Sequence, residues 1–391
     1  MNFETVELTP EQEAFVAEAR TFLEDNWHPS PEMAAMISLE HDRLPADFAE
    51  LLAERGWIRP QSPVEQGGAG LGNVEARLLT ELYLQHGVPQ TNGSDLLSST
   101  IEKYASERVR SEALADIQRG TKTVCLGYSE PDSGSDMAAA RIAAVQDGDT
   151  WVINGSKMWT TYAHQSDYVF LLARTGPIEE KHRTLTVFLV PLDTPGIEVQ
   201  AIWAMGDVRT NLVFYTDVQI SDEYRLGPVN EGWRVVSEPL AVEHGIEDDL
   251  DALAPINGSM GSQFSHTLEL AVETAVEWAV TTPGRDGRPQ IEDPIVRAKL
   301  AEALLELEVS RNAPGETGKV VAAEALIRQS DALTDLAGPA GILDEGVPGS
   351  SRRGLLSWSR LHAPGTAIYG GTSEIYRNNI ARGALGLPRP Y

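Results

Sequence analysis

Two short segments carry residue types from which a binding site for a flat, polar ligand can be built. Residues 127–136 (GYSEPDSGSD) combine hydroxyl groups with small side chains, so their backbone N–H groups can approach an anionic or carbonyl oxygen. Residues 159–161 (WTT) set an indole beside two hydroxyls, which offers a planar conjugated ring an apolar face and donors at its edge. Taken alone, the first segment is more typical of an ordinary loop and the second of a core tryptophan, so only their combination with other features carries weight.

The chain that precedes these segments is predicted to be helical. Residues 9–12 (TPEQ) form a capping-box start with proline at the first helical position, and Phe15, Ala19 and Phe22 then recur at helical spacing. Residues 45–55 repeat the pattern, and Gly56 is expected to end that helix. The first 120 or so residues therefore predict helices joined by loops.

From about residue 123 the chain becomes rich in β-branched and aromatic residues, and later it returns to helical periodicity. Turns are predicted at 147–149, 154–155 and 195–196, between strands at 150–153, 168–173, 185–190, 197–202 and 212–220. Helices are predicted at 268–280, 295–310, 318–333 and 373–384. This order predicts an α+β fold with domains at 1–121, 122–226 and 227–391.

Composition narrows the classes of function. The 391 residues carry a formal net charge of −27, and phosphate binding needs concentrated Lys and Arg, so no nucleic-acid partner is expected. No run approaches the roughly 20 apolar residues of a membrane span, and the start lacks the pattern of a signal peptide. The single cysteine, Cys125, fits a reducing compartment and is interpreted as a packing residue. We therefore expect a cytoplasmic protein, and because its eight histidines lack metal-ligand spacing, we expect no metal site.

The two segments occur in order with further motifs, and together they resemble the acyl-CoA dehydrogenase family. Residues 128–136 and 154–161 (NGSKMWTT) resemble its flavin-binding middle domain, and 206–218, 232–233 and 370–375 (GGTSEI) agree in order and spacing. The resemblance covers essentially the whole chain. It implies a barrel-like middle β domain, a C-terminal four-helix bundle, FAD as cofactor, and introduction of an α,β double bond into an acyl-CoA thioester.

The resemblance also implies roles for individual residues. It places Ser135 near the pyrophosphate of the acyl-CoA or of the cofactor, and it places two groups of residues at the flavin: Tyr128, Ser129, Trp159 and Thr161 lining the isoalloxazine, and Gly371, Thr372 and Glu374 contacting FAD from the C-terminal loop. Residues 372–374 are also typical of a helix N-cap, and both interpretations can hold together because a helix N-terminus favours an anionic phosphate.

The catalytic base is where this chain departs from the family pattern. Removal of the α proton suits a carboxylate whose pKa is raised in a dry pocket. Many family members place a glutamate directly after the tyrosine of the C-terminal loop, whereas here Gly370 follows Tyr369. Gly370 has no side chain, although its N–H can polarise the thioester carbonyl. A minority place the base on a helix just after the β domain, which points to Glu243; the alternative is that Glu243 is an exposed helix residue.

A second departure indicates a partner chain. Homotetrameric relatives carry Arg-x-x-Phe-Gly and Gln-x-x-Gly-Gly segments that hold the ADP half of a neighbour's FAD, but the corresponding residues here are 283–287 (PGRDG) and 335–339 (DLAGP). The aromatic residue and the glutamine are missing. This resembles one subunit of the heteromeric α2β2 acyl-CoA dehydrogenases of actinobacterial steroid catabolism. It implies a second acyl-CoA dehydrogenase-like subunit and a bulky, steroid-derived acyl-CoA substrate.

Three alternatives stay open at this point. The chain could form a homotetrameric acyl-CoA dehydrogenase of general fatty-acid type with relaxed FAD contacts. It could be a non-catalytic structural subunit, against which the intact flavin residues argue. It could also be a flavin oxidase on the same fold, whereas the family by itself implies an electron-transfer flavoprotein as electron acceptor.

Overall fold

The first part of the chain is helical, as its sequence predicts. The computed structural model describes residues 8–29, 44–89, 94–243, 260–313, 315–344 and 347–388. Its first helices are α1 (Pro10–Asn26), α2 (Ala46–Glu54), α3 (Asn73–His86) and α4 (Ser94–Tyr104), followed by short helical turns up to Gln118. The predicted capping box is present: Thr9 Oγ1 accepts from Gln12 N at 3.3 Å, and Gln12 Oε1 accepts from Thr9 N at 3.0 Å.

The middle of the chain folds into one mixed eight-stranded sheet. The strands are β1 (Val124–Gly127), β2 (Ala143–Asp147), β3 (Thr150–Met158), β4 (Tyr168–Arg174), β5 (Leu185–Pro191), β6 (Ile197–Trp203), β7 (Arg209–Ser221) and β8 (Arg225–Leu226). Their order is β6-β7-β3-β2-β4-β5-β8, with β1 parallel to β4. All five predicted strands are present, while β1, β2 and β8 were not predicted because they are short or carry little periodicity.

The predicted turn at Asn154 and Gly155 is wrong, because both residues lie inside β3. The register between β3 and β7 shifts at this point, which makes the pair a β-bulge. Gly155 has φ of 140°, and a Cβ there would lie 2.9 Å from the Ile142 side chain. The Asn154 amide supports the bulge by exchanging hydrogen bonds with Asp217, at 3.1 Å to its carboxylate and 2.9 Å from its backbone N–H. An Asn-Gly pair thus occurs both in turns and in β-bulges, and the two residues by themselves do not distinguish these structures.

The last part of the chain is a helical bundle. Helix α5 (Gly232–Glu243) follows the sheet, and α6 (Met260–Thr281), α7 (Pro294–Asn312), α8 (Gly315–Ala337) and α9 (Leu355–Thr366) pack around one core; α10 (Ser373–Gly383) lies against α8. The fold class and the four-helix bundle predicted from the sequence are confirmed. Among the helices of the described ranges, none has the length and apolar character needed to cross a membrane.

Helices α6 and α8 approach closely at a pair of glycines. A Cβ added at Gly261 would lie 2.9 Å from the backbone carbon of Gly318 and 3.0 Å from the backbone nitrogen of Lys319. These distances are shorter than side chains tolerate, so the two helix backbones meet there without an intervening side chain. The contact fixes the first turn of α8 against α6.

We expect the substitution Gly261→Ala to lower the free energy of unfolding by about 1–3 kcal/mol, because the new methyl group must push two helix backbones apart. Gly383→Ala is the matched control, since a Cβ at Gly383 would meet nothing within 4 Å. The control is expected to be neutral or stabilising by at most about 1 kcal/mol. Chemical denaturation followed by circular dichroism measures both, and equal stability of the two variants would contradict the close approach.

Candidate functional site

A buried ion pair lies directly behind Tyr128 and Ser129. Lys157, at the end of β3, is fully buried, and its Nζ donates to Glu130 Oε1 at 2.9 Å and to the Tyr128 carbonyl at 2.8 Å. The peptide bond is planar and trans, so the N–H of Ser129 points away from Lys157, and it has no acceptor within the ranges that the structure describes. Ser129 O accepts from Met158 N at 2.9 Å, which joins this loop to the end of β3.

Further hydrogen bonds to the Glu130 carboxylate fix the rest of the loop. The carboxylate accepts backbone N–H bonds from Arg141 at 2.7 Å and from Ile142 at 3.0 Å. Arg174 on β4 is also buried and donates to the carbonyls of Ala138 and Ala140, at 2.6 and 3.0 Å. The loop from Tyr128 to Ile142 is therefore held at both ends by charged groups that lie beneath it.

Burial has the largest effect on the pKa of Lys157. Loss of solvent lowers the pKa of Lys157 to about 8, and the neighbouring Glu130 opposes that decrease. A carboxylate with several N–H donors and an ammonium partner satisfies the rule that buried charges must be paired. The pair is thus costly to bury, but both charges are hydrogen-bonded, and its position is set by the sheet.

Trp159 follows at once and adopts an unusual backbone conformation. Its φ is 62°, and Tyr162, three residues later, has φ of 67°. The indole is nevertheless 53% exposed, which is high for so large an apolar side chain. Left-handed residues that are not glycine carry a cost of about 1–3 kcal/mol and concentrate at functional sites. A strained backbone that presents an exposed indole fits the face of a planar ligand.

The start of β7 fixes the residues beside this tryptophan. Asn211 is fully buried and pairs with Thr160 through two bonds, Thr160 N to Asn211 O at 3.0 Å and Asn211 Nδ2 to Thr160 O at 2.9 Å. Thr161 Oγ1 donates to Thr210 Oγ1 at 3.2 Å. The structure therefore brings Tyr128, Ser129, Trp159 and Thr161 together at one end of the sheet.

Two hydroxyls in these segments are buried without a hydrogen-bond partner among the described residues. Thr160 Oγ1 and Ser133 Oγ are both inaccessible to solvent, and neither has a hydrogen-bond partner among the described residues. Buried polar groups in native proteins are normally bonded, so an orphaned hydroxyl on Thr160, the residue that follows the exposed indole of Trp159, fits a polar, planar group such as a flavin. Ser135, in contrast, lies exposed on the outer part of the loop.

The C-terminal loop has consecutive glycines in left-handed conformations, with φ of 61° at Gly370 and 87° at Gly371. Thr372 then caps α10, its Oγ1 accepting from Ile375 N at 3.2 Å, which confirms the predicted N-cap. Glu374 is exposed, and hydrogen bonds from its own backbone amide and from Thr372 lower the pKa of its carboxyl. No hydrogen bond or ring contact in the described parts of the chain links this loop to Trp159 directly.

The hairpin between β6 and β7 lies between the two groups of residues. Gly206, at its tip, has φ of 79°, and a Cβ there would lie 3.5 Å from both Trp358 and the backbone of His362 on α9. His362 Nε2 lies 3.3 Å from the Tyr369 hydroxyl and its ring stacks on Trp358. Residues 206–211 thus contact the support of the C-terminal loop at one end and hold Thr160 at the other.

Several of these supporting residues were not predicted. Glu130, Lys157 and Asn211 stand inside segments noticed in the sequence, and His362 stands outside them. Their signal is weak, since a lysine in a strand or a histidine in a helix is usually a surface residue.

Glu243, the predicted base, is the last described residue of α5, and the structure describes only its backbone. Its role therefore stays a prediction, as do the roles of the other site residues. Cys125 is a buried packing residue, as expected, and burial raises the pKa of its thiol to about 12.

Comparisons with known proteins agree on one family. Models of the N-terminal, middle and C-terminal domains of acyl-CoA dehydrogenases match residues 9–121, 125–218 and 312–385. The chain is 32% identical to the acyl-CoA dehydrogenase IpdE1 of Mycobacterium tuberculosis, over 96% of this chain and 98% of the relative. It is 26% identical to the human mitochondrial short-chain specific acyl-CoA dehydrogenase, over 97% and 91% of the two chains.

Solved structures give the same result. A chain of the ChsE4-ChsE5 complex from Mycobacterium tuberculosis superposes with a TM-score of 0.83 and 27% identity, over 99% of this chain and 100% of that one. A chain of the Tcur3481-Tcur3483 steroid ACAD superposes with a TM-score of 0.84 and 25% identity, again over 99% and 100%. Both similarities extend across all three parts of the fold.

We expect Glu130→Gln to lower the free energy of unfolding by about 3–5 kcal/mol, because it leaves the buried Lys157 without its charged partner. The double variant Glu130→Gln/Lys157→Met should recover part of that loss. Glu223→Gln is the control, since its ion pair with Arg108 is half exposed and should leave the unfolding transition almost unchanged. Denaturant titrations at pH 7 measure the three variants, and a Glu130→Gln protein as stable as the control would refute the role of the pair.

His362 should give the protein a specific acid sensitivity. Burial lowers the pKa of His362 from its usual 6.5 to about 4, so the folded state holds the ring neutral while the unfolded state takes up a proton below pH 6.5. Stability is therefore lost as the pH falls from 6.5 to 4, by about 3 kcal/mol in total. His362→Gln should remove this part of the pH dependence. The measurement is the difference between wild-type and variant unfolding free energies at pH 7 and pH 4.5, and a difference that does not change with pH would contradict the assignment.

Proposed function

Because this chain belongs to the acyl-CoA dehydrogenase family, whose members are oxidoreductases acting on acyl-CoA, we propose that it binds FAD and desaturates an acyl-CoA thioester between its α and β carbons. The observation that carries the proposal is the exposed, strained Trp159 beside Tyr128 and Ser129, which the buried Glu130–Lys157 pair holds in place. A non-catalytic subunit has no need to maintain such a costly arrangement.

The residues present fit the isoalloxazine of FAD, which when bound supplies the acceptor for the hydride that leaves the β carbon. Trp159 offers its indole face to the ring, Tyr128 lies at the same end of the sheet, and the Ser129 N–H and the Thr160 hydroxyl are donors without an internal acceptor among the described residues. Thr161 Oγ1 donates a hydrogen bond to Thr210 Oγ1. The two hydroxyls therefore act together at the edge of the flavin ring. From the C-terminal loop, Gly371, Thr372 and Glu374 contact FAD. Ser135, exposed on the loop, contacts a pyrophosphate.

Glu243 is proposed as the base that takes the α proton. Its helix, α5, begins at Gly232, where a Cβ would lie 2.7 Å from the Leu185 carbonyl, so the helix start is pressed onto β5. Eleven residues further, at 1.5 Å per residue, Glu243 lies roughly 16 Å along the helix axis from that contact. Gly370 lacks a side chain and contributes its N–H to the thioester oxygen, where charge develops as the proton leaves.

The proposed assembly is an α2β2 heterotetramer with a second acyl-CoA dehydrogenase-like subunit. The segments that serve a neighbour's ADP in homotetrameric relatives carry Arg285, which is exposed, and Asp335, whose carboxylate lies 3.5 Å from Arg360. An ionised carboxylate at the position of the usual glutamine accepts hydrogen bonds but cannot donate one to a phosphate, so this chain is poorly suited to hold the ADP of a partner's cofactor. The similar ChsE4-ChsE5 structure is a complex of two different chains, which supports the same arrangement.

We propose a bulky, steroid-derived acyl group as the substrate and an electron-transfer flavoprotein as the electron acceptor. Support for the substrate comes from similarity to a protein described as a steroid ACAD, at 25% identity over nearly the whole chain. The acceptor follows from the family. Both rest on analogy within one fold, which can host many substrates, and activity measurements decide between them and a flavin oxidase.

The test is the flavin absorbance spectrum of this chain, purified alone and after co-expression with acyl-CoA dehydrogenase-like chains encoded beside it in the genome. Acyl-CoAs are added to each preparation. We expect flavin in the co-expressed complex only, and bleaching by a steroid-derived acyl-CoA in the wild type. Glu243→Gln should slow bleaching by at least about 100-fold without loss of bound flavin, since a base contributes 10²–10⁴ in rate.

Glu231→Gln is the matched control, because Glu231 lies immediately before the same helix and pairs with Arg234 at the surface. It should bleach at the wild-type rate. Full flavin occupancy in the lone chain would exclude the heteromer, and undiminished bleaching in Glu243→Gln would remove Glu243 as the base. Hydrogen peroxide formed in proportion to bleaching would favour the oxidase.

A further inference from the structure

Lys319, in the first turns of α8, is a buried lysine whose ammonium contacts the C-terminal loop. The side chain is 2% exposed, and its Nζ donates to the Gly371 carbonyl at 2.6 Å. The Nζ also lies 5.0 Å from the centre of the Tyr376 ring and 6.0 Å from that of Phe264. The close approach of α6 and α8 at Gly261 fixes the backbone from which this side chain extends.

A second donor holds the preceding carbonyl. Tyr376, fully buried on α10, donates its hydroxyl to Gly370 O at 2.8 Å. Two further bonds join α10 to α8, between Glu316 and Asn379 at 2.8 Å and between Arg377 and Glu324. Two consecutive carbonyls of the glycine turn are thus bonded to groups inside the bundle, and the helix that follows is tied to the one that carries Lys319.

The geometry of the peptide group determines where the corresponding amides point. Each carbonyl shares a planar trans unit with the next N–H, so the N–H groups of Gly371 and Thr372 point away from Tyr376 and Lys319. Neither N–H has an acceptor among the residues that the structure describes. The next amides are already used: Ser373 N donates to Ala367 O at 2.9 Å and Ile375 N to Thr372 Oγ1 at 3.2 Å.

We infer that Lys319 is a positioning residue that, together with Tyr376, orients the N–H groups of Gly371 and Thr372 toward an oxygen acceptor of the bound ligands. The inference rests on the proposed function, because the acceptor is either an oxygen of FAD or the thioester oxygen of the acyl-CoA. Packing alone does not call for a lysine here: a methionine fills similar volume without the cost of burying an ammonium. The ammonium, in contrast, supplies a donor that a methionine lacks, and the Gly371 carbonyl accepts from it.

The experiment compares Lys319→Met and Tyr376→Phe with the wild type in the co-expressed complex. Circular dichroism and thermal unfolding establish that each variant is folded. The Kd for FAD is measured by absorbance titration of the apoprotein, and kcat and KM for the acyl-CoA are measured at saturating FAD. Lys299→Met is the matched control, because Lys299 is an exposed lysine on the neighbouring helix α7.

We expect Lys319→Met either to raise the Kd for FAD or to lower kcat, by about 10-fold to 100-fold, because a small misplacement of donor groups has effects of that size. A raised Kd for FAD with normal kcat at saturation assigns the N–H pair to the cofactor. A normal Kd with lowered kcat assigns it to the thioester. Tyr376→Phe should shift the same constant in the same direction by a smaller factor, and Lys299→Met should shift neither.

Unchanged Kd, kcat and KM in Lys319→Met would overturn the inference, even if the melting temperature fell, because a purely structural role changes stability alone. If Lys319→Met does not fold, Tyr376→Phe decides, since it removes one oxygen atom and keeps the ring; unchanged constants there also overturn the inference. A wild-type complex that takes up no FAD would instead refute the proposed function, and the inference with it.

Discussion

The buried pair of Glu130 and Lys157 is the interaction on which the rest of this site depends. Its ammonium bonds the Tyr128 carbonyl and its carboxylate bonds the amides of Arg141 and Ile142, so one pair of charges fixes both ends of the loop at the edge of the sheet. Such a pair is costly to bury and expensive to break, because removal of either partner leaves a charge without compensation. The pair therefore holds the loop with the Ser129 amide pointing away from Lys157.

The C-terminal loop is built on the same physical principle. There Lys319 and Tyr376 bond the carbonyls of Gly371 and Gly370 from inside the bundle, and the opposite amides remain for a ligand. In both loops a buried cation holds the carbonyl of a peptide group and so determines the direction of the N–H on the other side of that group. Backbone donors set in this way need no reorganisation when charge develops on a bound oxygen, which is the condition for electrostatic stabilisation of a transition state.

The vacant side-chain position at Gly370 fits this arrangement. Gly370 and Gly371 both have positive φ, a conformation that glycine adopts without strain and that a glutamate would adopt only at a cost. The turn is thus specialised for backbone donors, and a base carried on α5 would leave it free for that use. The carboxylate of Asp335, 3.5 Å from Arg360, is an acceptor only and has no N–H to offer a phosphate.

Much of this protein was accessible from its sequence, and the reason is that the informative features are contiguous. The capping box at Thr9, the five long strands, the bundle helices and the segments of the candidate site each occupy a short stretch in which periodicity or a motif is readable. The errors were local as well: the Asn154–Gly155 pair predicted a turn, but Ile142 and Asp217, both distant in sequence, make it a bulge.

The sequence by itself determined the family, the order of helices and strands, and the segments that form the candidate site. Only the tertiary structure decided which buried groups hold those segments in place. Lys157 lies 27 residues from Glu130, and Lys319 lies 52 residues from Gly371. A lysine in a helix or strand has the same local pattern whether it faces water or a carbonyl, and its burial is settled by elements that meet only after the chain has folded.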